Sequence, residues 1–205
     1  MNVLCFGDAA LLVELDDLDE VLGLAAAVRA QRLDGVLDVV PAARTVLVVT
    51  EPGTPLDPLA ARLTTVSSTL SAASPAAEAE PVEIAVVYDG PDLAEVARLT
   101  GLSERDVVEA HTGTPWRIAF GGFAPGFAYL TGGDPRLAVP RRDEPRTTVP
   151  AGAVGLAGEY SGVYPRPSPG GWQLIGRTDA VLWDADRDPP ALLAPGGSVQ
   201  FRVAS

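Results

Sequence analysis

Between Gly121 and Arg177 the chain places 12 glycines and 8 prolines in 57 residues. Glycine plus proline above about 25–30% ordinarily marks low-complexity or disordered chain. Yet the same run carries Phe123, Phe127, Tyr129, Tyr160, Tyr164 and Trp172, large rings that disordered segments generally lack. Glycine opens backbone conformations closed to other residues, and proline fixes φ. Set between rings, they specify a backbone held in particular turns with aromatics packed on it. The expected product is a shaped surface built on loops and short strands, and it is the first place to look for function.

The rest of the composition narrows the possibilities by exclusion. A chain of 205 residues holds one large domain or two small ones, and 47% apolar with 20% charged residues is ordinary for a globular protein. No apolar stretch approaches the roughly 20 residues of a membrane helix, so no membrane association is expected. The Met1–Cys5 segment has no basic region before an apolar run, so no secretory leader is expected. The single Cys5 cannot form an internal disulfide, which fits a reducing cytoplasm.

A net charge of −12 argues against nucleic-acid binding, which depends on cationic contacts to phosphates. All fifteen basic residues are arginine. Without lysine there is no Walker A phosphate loop, no Schiff-base chemistry and no biotin-carrying side chain. One histidine and one cysteine leave too few ligands for a zinc site, and no metal site is expected. A Ser-His-Asp triad would have His111 as its sole base.

Hydrophobic spacing divides the chain. Residues 1–73 read as an α+β unit of order ββαββα: strands at Val3–Phe6, Ala10–Leu15, Val36–Val40 and Thr45–Thr50, and two helices. Asp17 caps the first helix, with Glu20 in capping-box position. Asp57-Pro58 opens the second, with Leu59, Leu63, Val66 and Leu70 on one face. The order suggests both helices on one face of a small sheet. Residues 74–81, within the small and Pro-flanked stretch SAASPAAEAEP, read as a linker. Residues 82–205 begin with a strand, Glu83–Tyr88. Asp92 then caps a helix ending at Gly101, and Ser103 with Asp106 opens another running to about His111. Short strands follow at Trp116–Phe120, Val154–Ala157, Gln173–Ile175, Val181–Trp183 and Val199–Val203, which suggests a closed barrel or sandwich.

Several residues in this second part have the chemistry for a site. His111 sits at the negative end of its helix, which favours its protonated form and suits helix capping or loop tethering as well as catalysis. The loop from Gly121 through Phe123, Pro125 and Phe127 to Tyr129 lets the backbone approach a ligand closely, although its rings also suit a plug for the barrel end. Arg141, Arg142 and Arg146, stiffened by flanking prolines, suit carboxylate or phosphate recognition. Arg146 stands apart from Asp143 and Glu144, which offer the others local ion pairs. Ser168-Pro169-Gly170-Gly171-Trp172 combines a hydroxyl, two amides able to form an anion nest, and a large ring. No base lies at a telling spacing from Ser168. The helix pair 92–111 has helix-turn-helix spacing, but its second helix is net acidic and would repel DNA.

Taken together, these motifs resemble one family: the B subunits of 5-oxoprolinase, also called the KipI or allophanate hydrolase subunit 1 family. The likeness rests on His111, the 122–130 loop GFAPGFAYL, Pro140-Arg141, Pro145-Arg146 and Val149-Pro150-Ala151-Gly152. It continues through Gly158, Gly162-Val163-Tyr164-Pro165 and the 168–178 stretch SPGGWQLIGRT. The resemblance implies an α+β N-terminal domain joined to a cyclophilin-like β-barrel, in a carboxyltransferase-type protein. It implies a separate or fused C subunit (KipA-like) and a lactam-utilisation A subunit. Together these open 5-oxoproline to glutamate at the expense of ATP with Mg²⁺ bound at the level of the complex, with no covalent cofactor. On this reading His111, Arg146 and Ser168 are the candidate catalytic residues. Phe123, Pro125, Phe127, Tyr129, Tyr164, Gly170, Gly171 and Trp172 are the candidate substrate-binding ones. Two other family roles stand as alternatives: inhibition of a sporulation-type histidine kinase, and the carboxyltransferase half of a urea carboxylase or urea amidolyase. Two positions depart from the family pattern: Tyr160 where glutamine is common, and Ala153 where serine is.

Overall fold

The computed structural model describes residues 1–68 and 80–204, which fall into two compact units. Most of the expected linker, 74–81, lies outside the described residues, as does Leu70.

In the first unit, alternation of apolar and polar residues dictates an antiparallel sheet of order β1-β2-β4-β3. Its strands are β1 (Asn2–Cys5), β2 (Ala10–Glu14), β3 (Val36–Pro41) and β4 (Thr45–Thr50). Leu11, Val13, Val39, Val46 and Val48 share one core with Val21, Leu24 and Val28 of α1 (Leu18–Gln31) and with Leu59, Leu63 and Val66 of α2 (Leu56–Ser68). The Asp17 carboxylate accepts the Glu20 N–H at 2.9 Å, as a cap should. The Glu20 carboxylate accepts the Asp16 N–H instead of the Asp17 amide, so the box closes one residue early.

The second unit contains β5 (Val82–Val86), α3 (Leu93–Thr100), α4 (Glu104–Gly113), β6 (Trp116–Gly121), β7 (Ala128–Thr131) and β8 (Arg146–Val149). After them come β9 (Ala153–Ala157), β10 (Tyr160–Val163), β11 (Ser168–Gly170), β12 (Gln173–Arg177) and β13 (Ser198–Val203). Seven strands form one sheet of order β12-β9-β10-β7-β6-β13-β5, antiparallel throughout except for the parallel β13–β5 pair. Its two outer strands meet. Val87 and Arg177 exchange both backbone hydrogen bonds (2.8 and 2.9 Å), and Gly90 and Asp92 donate to the carbonyls of Ile175 and Leu174. The sheet thereby closes into a barrel, the α+β class expected, around a core that includes Ile84, Trp116, Ile118, Leu130, Leu156, Ile175 and Phe201. A short two-stranded ribbon of β8 and β11 stands beside it.

The helix pair lays Leu93, Val96, Val107 and Ala110 onto that core. Ser103 and Asp106 form a complete capping box at the start of α4. Three expectations needed correction. Asp92 occupies the N-cap position of α3 but makes no side-chain cap bond. Residues 181–183 form no strand, only a bridge from Trp183 to Ala191. Finally, β7, β8, β10 and β11 are real strands of three or four residues, too short for their period-2 pattern to register between glycines and prolines.

Candidate functional site

The site is built around Phe127, which is 3% exposed. Phe123, Tyr129, Tyr164 and Trp172 surround it with ring centroids at 5.1–5.5 Å and interplanar angles of 72–85°, all edge-to-face. Edge-to-face pairs place the positive rim of one ring on the negative face of another, which adds about 0.5–1.5 kcal/mol each beyond burial. Tyr129 in turn stacks on Phe120 at 4.5 Å and meets Tyr160 edge-on at 5.6 Å. The departure at Tyr160 therefore adds a ring to the cluster. Ala153 is buried under the same group, where a serine hydroxyl would need a partner.

The loop between β6 and β7 aims part of this cluster outward. Gly122 N–H donates to the Phe127 carbonyl (3.2 Å) and Phe127 N–H to the Ala124 carbonyl (2.9 Å), closing a tight turn. Inside it, Phe123 takes φ +66° and its ring is 56% exposed. A non-glycine residue in the left-handed region costs about 1–2 kcal/mol, and strain of this kind concentrates at functional sites. Pro125 is exposed at the loop tip.

A second wall comes from the ribbon. Register pairs Ser168 with Val149 and Gly170 with Arg146, so the Ser168–Trp172 turn and Arg146 are neighbours. Gly170 lies flat against the Tyr164 phenol, and a Cβ there would collide with the hydroxyl. Gly171 carbonyl accepts the Arg142 N–H at 2.8 Å. Burial pushes the Tyr164 phenol up, partly opposed by a hydrogen bond from the Trp172 N–H and by the charges of Arg141 and Arg146. The Ser168 hydroxyl donates weakly, at 3.4 Å, to the Arg166 carbonyl, so no base activates it.

The sequence reading missed Asp92. Its carboxylate, 4% exposed, accepts from Arg142 Nη1 and Arg146 Nη2, both at 2.8 Å on Oδ1, and from the Leu174 N–H at 2.7 Å on Oδ2. Burial alone would raise this carboxyl, but the Arg146 and Leu174 hydrogen bonds and the two guanidinium charges outweigh it and hold it below its ordinary value. A single aspartate after a proline reads as a helix cap. Nothing local announces that its partners lie fifty residues onward.

His111 stands apart from the ring cluster. It lies in the main core, 0% exposed, stacked on Phe201 at 4.3 Å and tilted against Trp116. Its Nδ1 faces the Tyr88 hydroxyl at 2.7 Å and its Nε2 the Ser161 hydroxyl at 2.8 Å. The expected protonated imidazole is therefore corrected: burial drives the pKa down to about 3, overriding the helix end. The structure thus brings Phe123, Phe127, Tyr129, Tyr164, Gly170, Gly171, Trp172, Ser168 and Arg146 together, and leaves His111 behind the barrel wall. Among the described residues no group of three or more His, Cys, Asp or Glu side chains converges as a metal site. No helix there is long and apolar enough to cross a membrane.

Residues 1–193 match the family described as carboxyltransferase domain, subdomain C and D. Over 127 residues the chain is 54% identical to the 5-oxoprolinase B subunit of Escherichia coli O157:H7, covering 60% of this chain and 58% of that protein. It thus spans less than two thirds of the length of the curated relatives it matches. A conserved uncharacterized protein from Pyrococcus horikoshii is similar over 100% of this chain and 98% of its own, at 36% identity and a TM-score of 0.59. The K. lactis urea amidolyase shares the fold over 99% of this chain and 15% of its own, at 20% identity and a TM-score of 0.75.

Proposed function

The chain belongs to the carboxyltransferase-domain family of subdomains C and D, and from that membership we propose that it is the B subunit of a cytoplasmic, ATP-dependent 5-oxoprolinase. The observation that carries the reading is the 54% identity to a 5-oxoprolinase B subunit over 127 residues. The likeness to the K. lactis urea amidolyase, at 20% identity, carries the fold alone.

In this reading the substrate is a small lactam acid, and the reaction hydrolyses its amide bond to give glutamate while ATP is split to ADP and phosphate. The Phe123–Tyr129 rings, Arg146, Tyr164 and the Ser168–Trp172 turn form one wall of the site. A KipA-like C subunit completes it, and a lactam-utilisation A subunit joins the complex. The chain's own residues do not fit an ATP–Mg²⁺ site: it has no lysine, and no acidic cluster converges among the described residues. Phosphoryl transfer needs cationic clamps and Mg²⁺ ligands, which the partner subunits would supply in this reading. The buried, uncharged His111 serves as a core strut and not as the site's acid or base.

The test is reconstitution. The purified chain mixed with 5-oxoproline, ATP and Mg²⁺ releases no glutamate, and adding the two partner proteins restores turnover. Turnover by the chain alone overturns the shared site, and a reconstituted complex inert toward 5-oxoproline overturns the substrate.

A further inference from the structure

We propose that Arg142 and Arg146 anchor the carboxylate of a small acid, and that Asp92 is the positioning residue that aims them. The identity of the acid, 5-oxoproline, rests on the function proposed above.

The argument begins with unequal charge. Two guanidiniums converge on one carboxylate oxygen, and among the described residues Asp92 is the one acid within ion-pair distance of either. The pair therefore carries one surplus positive charge, in a chain whose net charge is −12. Donors are in surplus too. A guanidinium has five N–H groups, and Asp92 takes one from each. Arg146 Nη1 is shielded from water and has no hydrogen-bond partner. So is Gln173 Oε1, one residue before Leu174, whose N–H binds Asp92. Buried orphan atoms are rare and call for an explanation. One unsatisfied donor and one unsatisfied acceptor, on residues flanking the same aspartate, complement a lactam acid: its carboxylate accepts from Arg146 and its ring N–H donates to Gln173. The side chains of Arg142 and Arg146 are 34% and 22% exposed, so the acid meets the guanidiniums from solvent and displaces the cover over Nη1 as it binds.

Asp92 is also unusually well fixed. Its N–H donates to the Leu174 carbonyl at 2.9 Å while its own Oδ2 accepts the Leu174 N–H. The carboxylate is thus clamped to the barrel seam, and the two arginines inherit that rigidity. Sites held by regular elements keep their geometry better than sites on loops.

The experiment is an amide-shift NMR titration of the full chain with three probes, 5-oxoproline, 2-pyrrolidinone (the same lactam without its carboxylate) and inorganic phosphate, and with acetate as the bare-carboxylate control. Saturable shifts at Gly171 and Leu174 are expected with 5-oxoproline and not with the other two. Arg142→Gln and Arg146→Gln weaken binding by about tenfold or more, the value of one charge-assisted hydrogen bond. Asp92→Asn also weakens it, although the change makes the cluster more positive. Tighter binding in Asp92→Asn shows mere neutralisation and overturns the positioning role. No saturable shift with either 5-oxoproline or acetate, equal shifts with 2-pyrrolidinone, or preference for phosphate overturns the site. The more exposed Arg142→Gln keeps the test decisive should Asp92→Asn fail to fold. The two readings separate cleanly. Acetate binding at these amides without 5-oxoproline binding keeps the site and sinks the 5-oxoprolinase reading. A reconstituted complex that turns over 5-oxoproline with an unchanged KM in both arginine variants does the reverse.

Discussion

His111 Nε2 and Ser161 Oγ, fifty residues apart in sequence, meet at 2.8 Å inside the barrel, where both side chains are sealed from water. On the other side of the imidazole, burial raises the Tyr88 phenol, which keeps its proton and lies 2.7 Å from Nδ1. A phenol and an aliphatic hydroxyl can each donate or accept, so either neutral tautomer of the ring is satisfied here. A neutral ring is satisfied at both nitrogens, and no charged group faces it.

This arrangement makes stability fall in mild acid. The folded-state pKa of about 3 lies below the ordinary value of 6.5, so the contribution is complete above pH 6.5 and is lost as the unfolded chain takes up a proton that the native ring refuses. The slope is about 1.4 kcal/mol per pH unit below 6.5. Urea denaturation at pH 7, 6 and 5 is expected to show a loss of about 2 kcal/mol across the series. With one histidine in the chain, the assignment is direct, and a flat profile contradicts it.

Phe127→Ala removes the centre of the ring cluster and is expected to cost about 3–5 kcal/mol. Gly162→Ala attacks the same cluster from the opposite direction. A Cβ there comes to 3.0 Å from Phe127 Cζ and 3.1 Å from Trp172 Cζ3, an overpacking that costs about 1–3 kcal/mol. Near-UV circular dichroism reports the loss of ring order in both, and thermal midpoints rank them. A Gly162→Ala midpoint equal to wild type would mean the rings yield freely.

Phe123→Gly separates stability from function. Relief of the left-handed backbone offsets the loss of a ring that is already 56% exposed, so the thermal midpoint of the isolated chain holds or rises. Activity of the reconstituted complex falls, because the ring belongs to the shared wall. A lowered midpoint with full activity would assign the ring to packing instead.

Ion pairs in this chain differ widely in worth. Asp92→Ala leaves two guanidiniums without their buried counter-charge and is expected to destabilise by about 3 kcal/mol. Arg136→Ala breaks three hydrogen bonds to Asp134 but on an exposed side chain, and shifts the urea midpoint far less than Asp92→Ala does. Parallel urea titrations at fixed pH measure both, and similar losses would show that burial does not set the difference.

The sequence made some of this legible and hid the rest for physical reasons. The first unit's strands and helices were readable because their periods of 2 and 3.6 run for four residues or more, and the caps at Asp17 there and Ser103 in the second unit act within one turn. The aromatic loop was readable because glycine and proline declare their backbone needs locally. What could not be read was pairing at a distance. Asp92 carries a strong local signal, a helix cap after Pro91, and the fold overrides it with Arg142 and Arg146. His111 misled in the same way: the helix end is visible in the sequence, whereas the burial that governs its charge depends on Phe201 and Trp116. Strands β8 and β11, at four and three residues, hold together only as a pair.

The strand order also bears on timing. Because β13 lies between β6 and β5, the wall keeps a gap until residues 198–203 arrive, however early the preceding strands form. A ribosome-bound chain that stops short of Ser198 would leave two bare strand edges, the kind of surface that chaperones shield. Closure of this barrel, and with it the alignment of Asp92 across the seam, waits on residues 198–203.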